Sequence, residues 1–170
     1  WEAEISRWAP TMRLSVDITK PTGVNKLIGE LAVLGLSIWW DRELQEIGLK
    51  VNRPPDEDTI YELTDDRNIK DIKIDDRDED RLTQVGVYSV ISNPTKSEKD
   101  GNSFDRLRQI VDLDAQSDNE FADVKVRQIY TRWLGDGNDS LIRIIGKRLL
   151  NRFRWSPVRY TMTVADDQDI

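Results

Sequence analysis

The stretch Val24-Asn25-Lys26-Leu27-Ile28-Gly29-Glu30-Leu31-Ala32-Val33-Leu34-Gly35-Leu36-Ser37-Ile38-Trp39-Trp40 decides the fold class, because the hydrophobic period changes inside it. Up to Leu34 the apolar residues Val24, Leu27, Ile28, Leu31 and Leu34 recur three and four apart, along one face of a helix. Gly35 supplies the left-handed stop that such a helix favours, and Thr22 is a candidate N-cap, which places a helix at about 22–34. Beyond Gly35 the residues read as a strand, Leu36 to Trp40. A polar turn, Asp41 to Gln45, and an alternating return strand with Ile47, Leu49 and Val51 follow, which is the pattern of a β-hairpin.

Outward from this centre the chain is mostly strand-like. Met12, Leu14, Val16 and Ile18 alternate with polar residues and predict a strand with one buried face. Pro54-Pro55 and the acidic run Asp56-Glu57-Asp58 mark the best division point. The expected units are therefore a small α+β unit over 1–54 and a β-rich unit over 55–170 with one C-terminal helix. In the second unit, short strands are expected at Ile60 to Leu63, around Ile72 and Ile74, at Val85 to Ile91, Leu107 to Leu113 and Val124 to Trp133, and at Val158 to Val164. Long polar connections run over Asp75 to Arg81 and Asn93 to Ser103. Ile142, Ile145, Leu149 and Phe153 form a helical stripe at about 139–154, with Asn138, Asp139 or Ser140 available as its cap. The sum is α+β, with two helices and eight or nine strands.

Composition bounds the chemistry. The chain has 170 residues, and its 25 Lys plus Arg against 32 Asp plus Glu leave a charge of −7. Neither His nor Cys is present, which excludes Ser-His-Asp and Cys-His nucleophiles, ordinary zinc sites and disulfides. The apolar stretch Leu31 to Trp40 is about half of the ~20 residues that a membrane helix needs, so no membrane insertion by this segment is expected. The acidic balance argues against general nucleic-acid binding. A start at Trp1 and an end within an acidic run suggest a piece of a longer protein.

Carboxylates are the only abundant acid/base groups, and sequence alone selects no glycosidase-like pair from 32 acids. Asp112, Asp114, Asp118 and Glu120, and separately Asp136-Gly137-Asn138-Asp139, offer hard oxygens at short spacing, but neither run meets the EF-hand pattern; turn and capping roles are the simpler reading. Neither a cofactor nor a metal is expected, nor enzymatic activity.

Residues 141 to 160 carry Arg143, Lys147, Arg148, Arg152, Arg154 and Arg159 and no acid, while residues 56 to 80 hold twelve acids and four bases. These segments can be a phosphate-binding patch beside an unrelated acidic loop, or two surfaces that meet within or between subunits. They can also be solvated faces over an apolar stripe. Phe153, Trp155 and Tyr160 sit at helix or strand spacing and read as core. Trp39 and Trp40 must face opposite ways on a strand, so one is expected in the core and the other toward a second layer or a partner. The interface candidates are Trp39, Trp40, Arg143, Lys147, Arg148, Arg152 and Arg154.

The order of several short motifs resembles a segment of the tail-tip or hub proteins of long-tailed bacteriophages. They are Pro21-Thr22-Gly23-Val24, Glu30 to Gly35, Ile38-Trp39-Trp40-Asp41 and the strand Ile47 to Arg53. Leu63 to Ile69, Arg81 to Tyr88, Asn93-Pro94, Arg132-Trp133-Leu134 and Leu149 to Pro157 continue the likeness, ending in the last strand and Asp166-Asp167. That resemblance implies a structural component at the tail tip of the virion. It would be homotrimeric in the assembled tail, would contact other tail proteins, and would join the tail tube to fibre or receptor-binding parts; no catalytic residue is implied. The alternative reading is a carbohydrate- or cell-surface-binding module that uses exposed Trp side chains.

Overall fold

A computed structural model describes residues 1–53, 69–117 and 123–164. Among these residues the chain is a strand-rich α+β fold with four helices and seven strands in three small sheets. The elements are α1 (Glu2–Trp8), α2 (Val24–Val33), β1 (Leu36–Asp41), β2 (Glu46–Val51), β3 (Ile69–Asp76), β4 (Gln84–Ile91) and β5 (Phe104–Val111). Then come α3 (Leu113–Ser117), β6 (Val126–Tyr130), α4 (Asp139–Phe153) and β7 (Val158–Val164).

The core forms where α4 lies on the three-stranded sheet, whose order is β5-β4-β6. β4 is central, antiparallel to β5 and parallel to β6. Alternation puts Val85 and Val87, both fully buried, on the face that meets Leu141, Ile142, Ile145 and Leu150 of α4. Each such side chain contributes about 1.5–3 kcal/mol through burial. Gly146 allows the close approach, since a β-carbon there would stand 2.7 Å from Ile110 Cδ1. On the opposite face Tyr88 stacks on Tyr130 with ring centroids 4.7 Å apart. The long connection before β5 closes over Tyr88 at Gly101, where a β-carbon would come within 2.8 Å of the ring.

The N-terminal part builds a second, smaller cluster from Ala9, Leu36 and Val51. Met12, Leu14 and Leu31 touch both clusters, so the two cores are contiguous. β1 and β2 form the expected hairpin, with Leu36 opposite Val51 and Trp40 opposite Ile47. Gly35 has φ +90, the left-handed stop expected after α2. The helices cover only the Leu36/Val51 end; the Trp40/Ile47 end stands free of the core.

β3 and β7 pair as an isolated antiparallel ribbon, joining a strand in the first half of the chain to the last described one, with a bulge between Lys70 and Lys73. Its base is tied to the core. The Arg77 amide donates to the Pro157 carbonyl at 3.0 Å and the Leu82 amide to the Phe153 carbonyl at 2.7 Å. Asp78 accepts hydrogen bonds from Lys125 Nζ at 2.7 Å and from Ser156 Oγ at 2.9 Å.

Several expectations need correction. Residues 12–18 form no strand: Met12, Leu14 and Val16 do turn inward while their neighbours are exposed, but the segment meets no ladder, and its backbone bonds are those from the Met12 amide to the Ala9 carbonyl at 2.9 Å and from the Ser15 amide to the Trp133 carbonyl at 3.1 Å. Helix α1, unforeseen, places Trp1, Ile5 and Trp8 at spacings of four and three on one side. Gly23, not Thr22, occupies the N-cap of α2, and the Thr22 hydroxyl donates back to the Lys20 carbonyl instead. The cap of α4 is Asn138, without a side-chain capping bond. β5 begins at Phe104 rather than Leu107, and Leu113 opens the unforeseen α3. The division point at 54–58 and the strand at Ile60 to Leu63 lie outside the described residues.

Candidate functional site

The structure offers two apolar sheet faces and one cationic cleft. The first apolar face is the free end of the hairpin, where Trp1, Trp40, Leu44 and Ile47 are all exposed and the Trp1 indole N–H donates to the Ile47 carbonyl at 2.7 Å. Trp39 lies on the other side of the hairpin. Its ring covers Gly48, where a β-carbon would meet it at 2.5 Å. The expectation that one of the two tryptophans is core is not met: Trp39 is 44% and Trp40 58% exposed. The physical reason is that a two-stranded hairpin presents two faces and the helices cover only one end of one of them.

The second apolar face belongs to the β3–β7 ribbon. Tyr160 faces Ile74 across the ladder, and alternation sets Val158, Met162 and Val164 on the same side of β7. All five are exposed, and every residue of β7 is exposed. The spacing that predicts Phe153, Trp155 and Tyr160 as core fails for Trp155 and Tyr160, both of which are exposed. The alternation of β7 was legible and announced one apolar face, but nothing in the described fold covers it.

The cationic stretch around α4 is divided by the helix geometry. Arg148 and Arg152, one turn apart, line a cleft of about 360 Å³ between α2, β6 and α4, together with Arg127 of β6. Lys147 and Arg154 open instead toward β5 and α3, where Arg154 pairs with Asp112 at 3.4 Å. Arg143 lies near Asp139 at the start of α4, and Arg159 stands opposite Asp75 on the ribbon. Two of the basic residues thus share a site that a third, Arg127, completes; no local pattern signalled Arg127, because its partners come from another element.

Three acids of the runs that offer hard oxygens, Asp112, Asp136 and Asp139, are engaged by other groups. Asp112 caps α3 by accepting from the Ala115 amide at 3.1 Å, Asp136 pairs with Arg106 at 2.9 Å, and Asp139 takes Arg108 at 2.8 Å. The Arg108 hydrogen bond holds the Asp139 carboxyl below the usual range. Asp118 and Glu120 lie outside the described residues. Among the described residues no group of three acidic side chains is arranged to hold a metal.

Beside the cationic cleft, and sharing Arg127 with it, sits a second one of about 250 Å³ whose charged lining is Lys26, Lys99, Arg132, Glu30 and Glu98. The Arg132 guanidinium, 8% exposed, makes two bonds to Glu30 at 3.0 Å each and reaches Glu98 at 3.4 Å; the Trp133 indole also donates to Glu30, at 2.8 Å. Glu98 accepts from Lys26 as well, and that bond first, then the charge of Arg132, holds its carboxyl below the usual range. This network fastens α2 to the connection before β5 and to the residues after β6. Among the described residues no helix is long and apolar enough to cross a membrane. No protein-family model, no curated protein and no solved structure matches the chain.

Proposed function

We propose that this chain is an assembly segment of a phage tail tip or hub, acting through contacts with other tail proteins and with copies of itself in a homotrimer of the virion. The observation that carries the reading is the uncovered apolar surface of its two-stranded sheets: Trp40, Leu44 and Ile47 on the hairpin, and Ile74, Tyr160, Met162 and Val164 on the ribbon. A two-stranded ribbon alone is marginal in water, and contiguous exposed apolar surface marks protein contacts. The motif likeness from Pro21 to Pro157 supplies the setting. The reading assigns no catalytic residue.

The test pairs immunogold labelling of purified tails with sedimentation of the chain carrying Tyr160→Asp and Met162→Asp. The reading expects label at the tail tip and reduced self-association or incorporation in the double variant. A strictly monomeric chain absent from virions overturns it.

A second reading, carbohydrate or cell-surface binding, is favoured by four exposed indoles: Trp1, Trp39, Trp40 and Trp155. Trp39, flat over Gly48, is the best stacking surface. Quenching of tryptophan emission by bacterial surface polysaccharides, lost in Trp39→Ala, supports it; emission indifferent to them removes it.

A further inference from the structure

The cleft between α2, β6 and α4 carries three guanidinium groups and no carboxylate in its lining. Among the described residues no acid stands within ion-pair distance of Arg127, Arg148 or Arg152, although twelve other ion pairs form elsewhere, including the neighbouring Arg132 network. Like charges one helical turn apart repel, so Arg148 and Arg152 together with Arg127 make a positive field that no ion pair among the described residues offsets, in a chain whose net charge is −7. Apolar side chains also line the cleft: the exposed Val33, the half-buried Leu149 and Phe153, and the buried Ile129 and Ile145.

We propose that this cleft docks an acidic segment of another protein. An aliphatic or aromatic side chain of that segment seats against Val33, Leu149 and Phe153, while flanking carboxylates engage the guanidinium forks of Arg127, Arg148 and Arg152. Guanidinium forks match carboxylates two bonds at a time, and apolar side chains in the same lining select a peptide over a bare anion. A nucleic-acid strand is disfavoured by the acidic balance of the chain, net −7. The site uses none of the apolar sheet faces, so its failure leaves the assembly reading standing.

The experiment titrates the isotope-labelled chain with a soluble peptide alternating aspartate and leucine and follows backbone amides by NMR. Parallel arms use the same peptide with lysine for aspartate, inorganic phosphate and a short oligothymidylate. The aspartate peptide is expected to shift the amides of Val33, Gly35, Asn52 and Ile129, more weakly as salt rises. The paired substitutions Arg148→Glu and Arg152→Glu are expected to weaken it about tenfold or more, and Arg127→Glu, made on a different element, to do likewise. Arg42→Glu, in the hairpin turn, should change nothing. The proposal is overturned if the aspartate peptide leaves those amides unmoved at millimolar concentration, or binds the charge-reversed chains equally well. It is also overturned if the lysine peptide, phosphate or oligothymidylate moves them as strongly.

Discussion

The three-stranded sheet and the β3–β7 ribbon are built from strands of the same kind, yet they end in opposite states. In β4 the alternating Val85 and Val87 are sealed beneath α4, whereas in β7 the alternating Val158, Tyr160, Met162 and Val164 stay in contact with solvent. Strand chemistry is not the difference. Helix α4 follows β6 and is tied to the sheet, while β7 departs after Pro157 to pair with β3 beyond the reach of any described helix. Alternation therefore states which face is apolar, and topology states whether anything covers it.

The widest gap between the two regions should appear on truncation. Ile142→Ala, beneath the sheet, should cost about 2–5 kcal/mol, whereas Tyr160→Ala on the ribbon should stay within about 0.5 kcal/mol in the isolated chain. Urea unfolding of both variants checks this, and equal losses would erase the contrast. Next comes Arg132→Ala, which strands the partly buried Glu30 carboxylate and frees α2 from the sheet, for a loss of about 2–3 kcal/mol. The same unfolding curves report it.

Acid should loosen the periphery before the core. Glu4, Asp78, Glu98 and Asp139 are each held below the ordinary carboxylate range, first by hydrogen bonds from Arg53, Lys125, Lys26 and Arg108 respectively for Glu4, Asp78, Glu98 and Asp139. Folding lowers their proton affinity, so the stabilisation is fully present above their unfolded values and is lost as pH falls through the lower folded ones. With no histidine in the chain, stability should be flat from about pH 8 to about pH 5 and decline below about pH 4.5. Hydrogen exchange at low pH should show the β3–β7 amides, anchored through Asp78, opening before those of β4. Simultaneous opening would contradict the division. A modest effect belongs to the hairpin: Gly48→Ala must push the Trp39 ring off the sheet, for a loss of about 1 kcal/mol visible as a shift in tryptophan emission.

Much of the local structure could be read without coordinates. The period change at Gly35, the hairpin after it, the alternation of β4 and β7, and the apolar stripe of α4 all follow from side-chain spacing. The failures share one cause. Residues 12–18 alternate correctly but lack a neighbouring edge, Thr22 bonds to Lys20 rather than to α2, and Trp39 and Trp40 lack a layer to enter. The cationic cleft was half legible: Arg148 and Arg152 sit one turn apart on a helix that the pattern predicts, but Arg127 joins them from β6.

Spacing and composition within a few residues suffice for the strand-rich α+β class, the helical face of α4 and the absence of imidazole and thiol chemistry. Which strands pair, which apolar faces stay bare and which described charges find no ion pair are settled by the folded arrangement alone. Those outcomes depend on contacts between segments dozens of residues apart, and no local period encodes such distances.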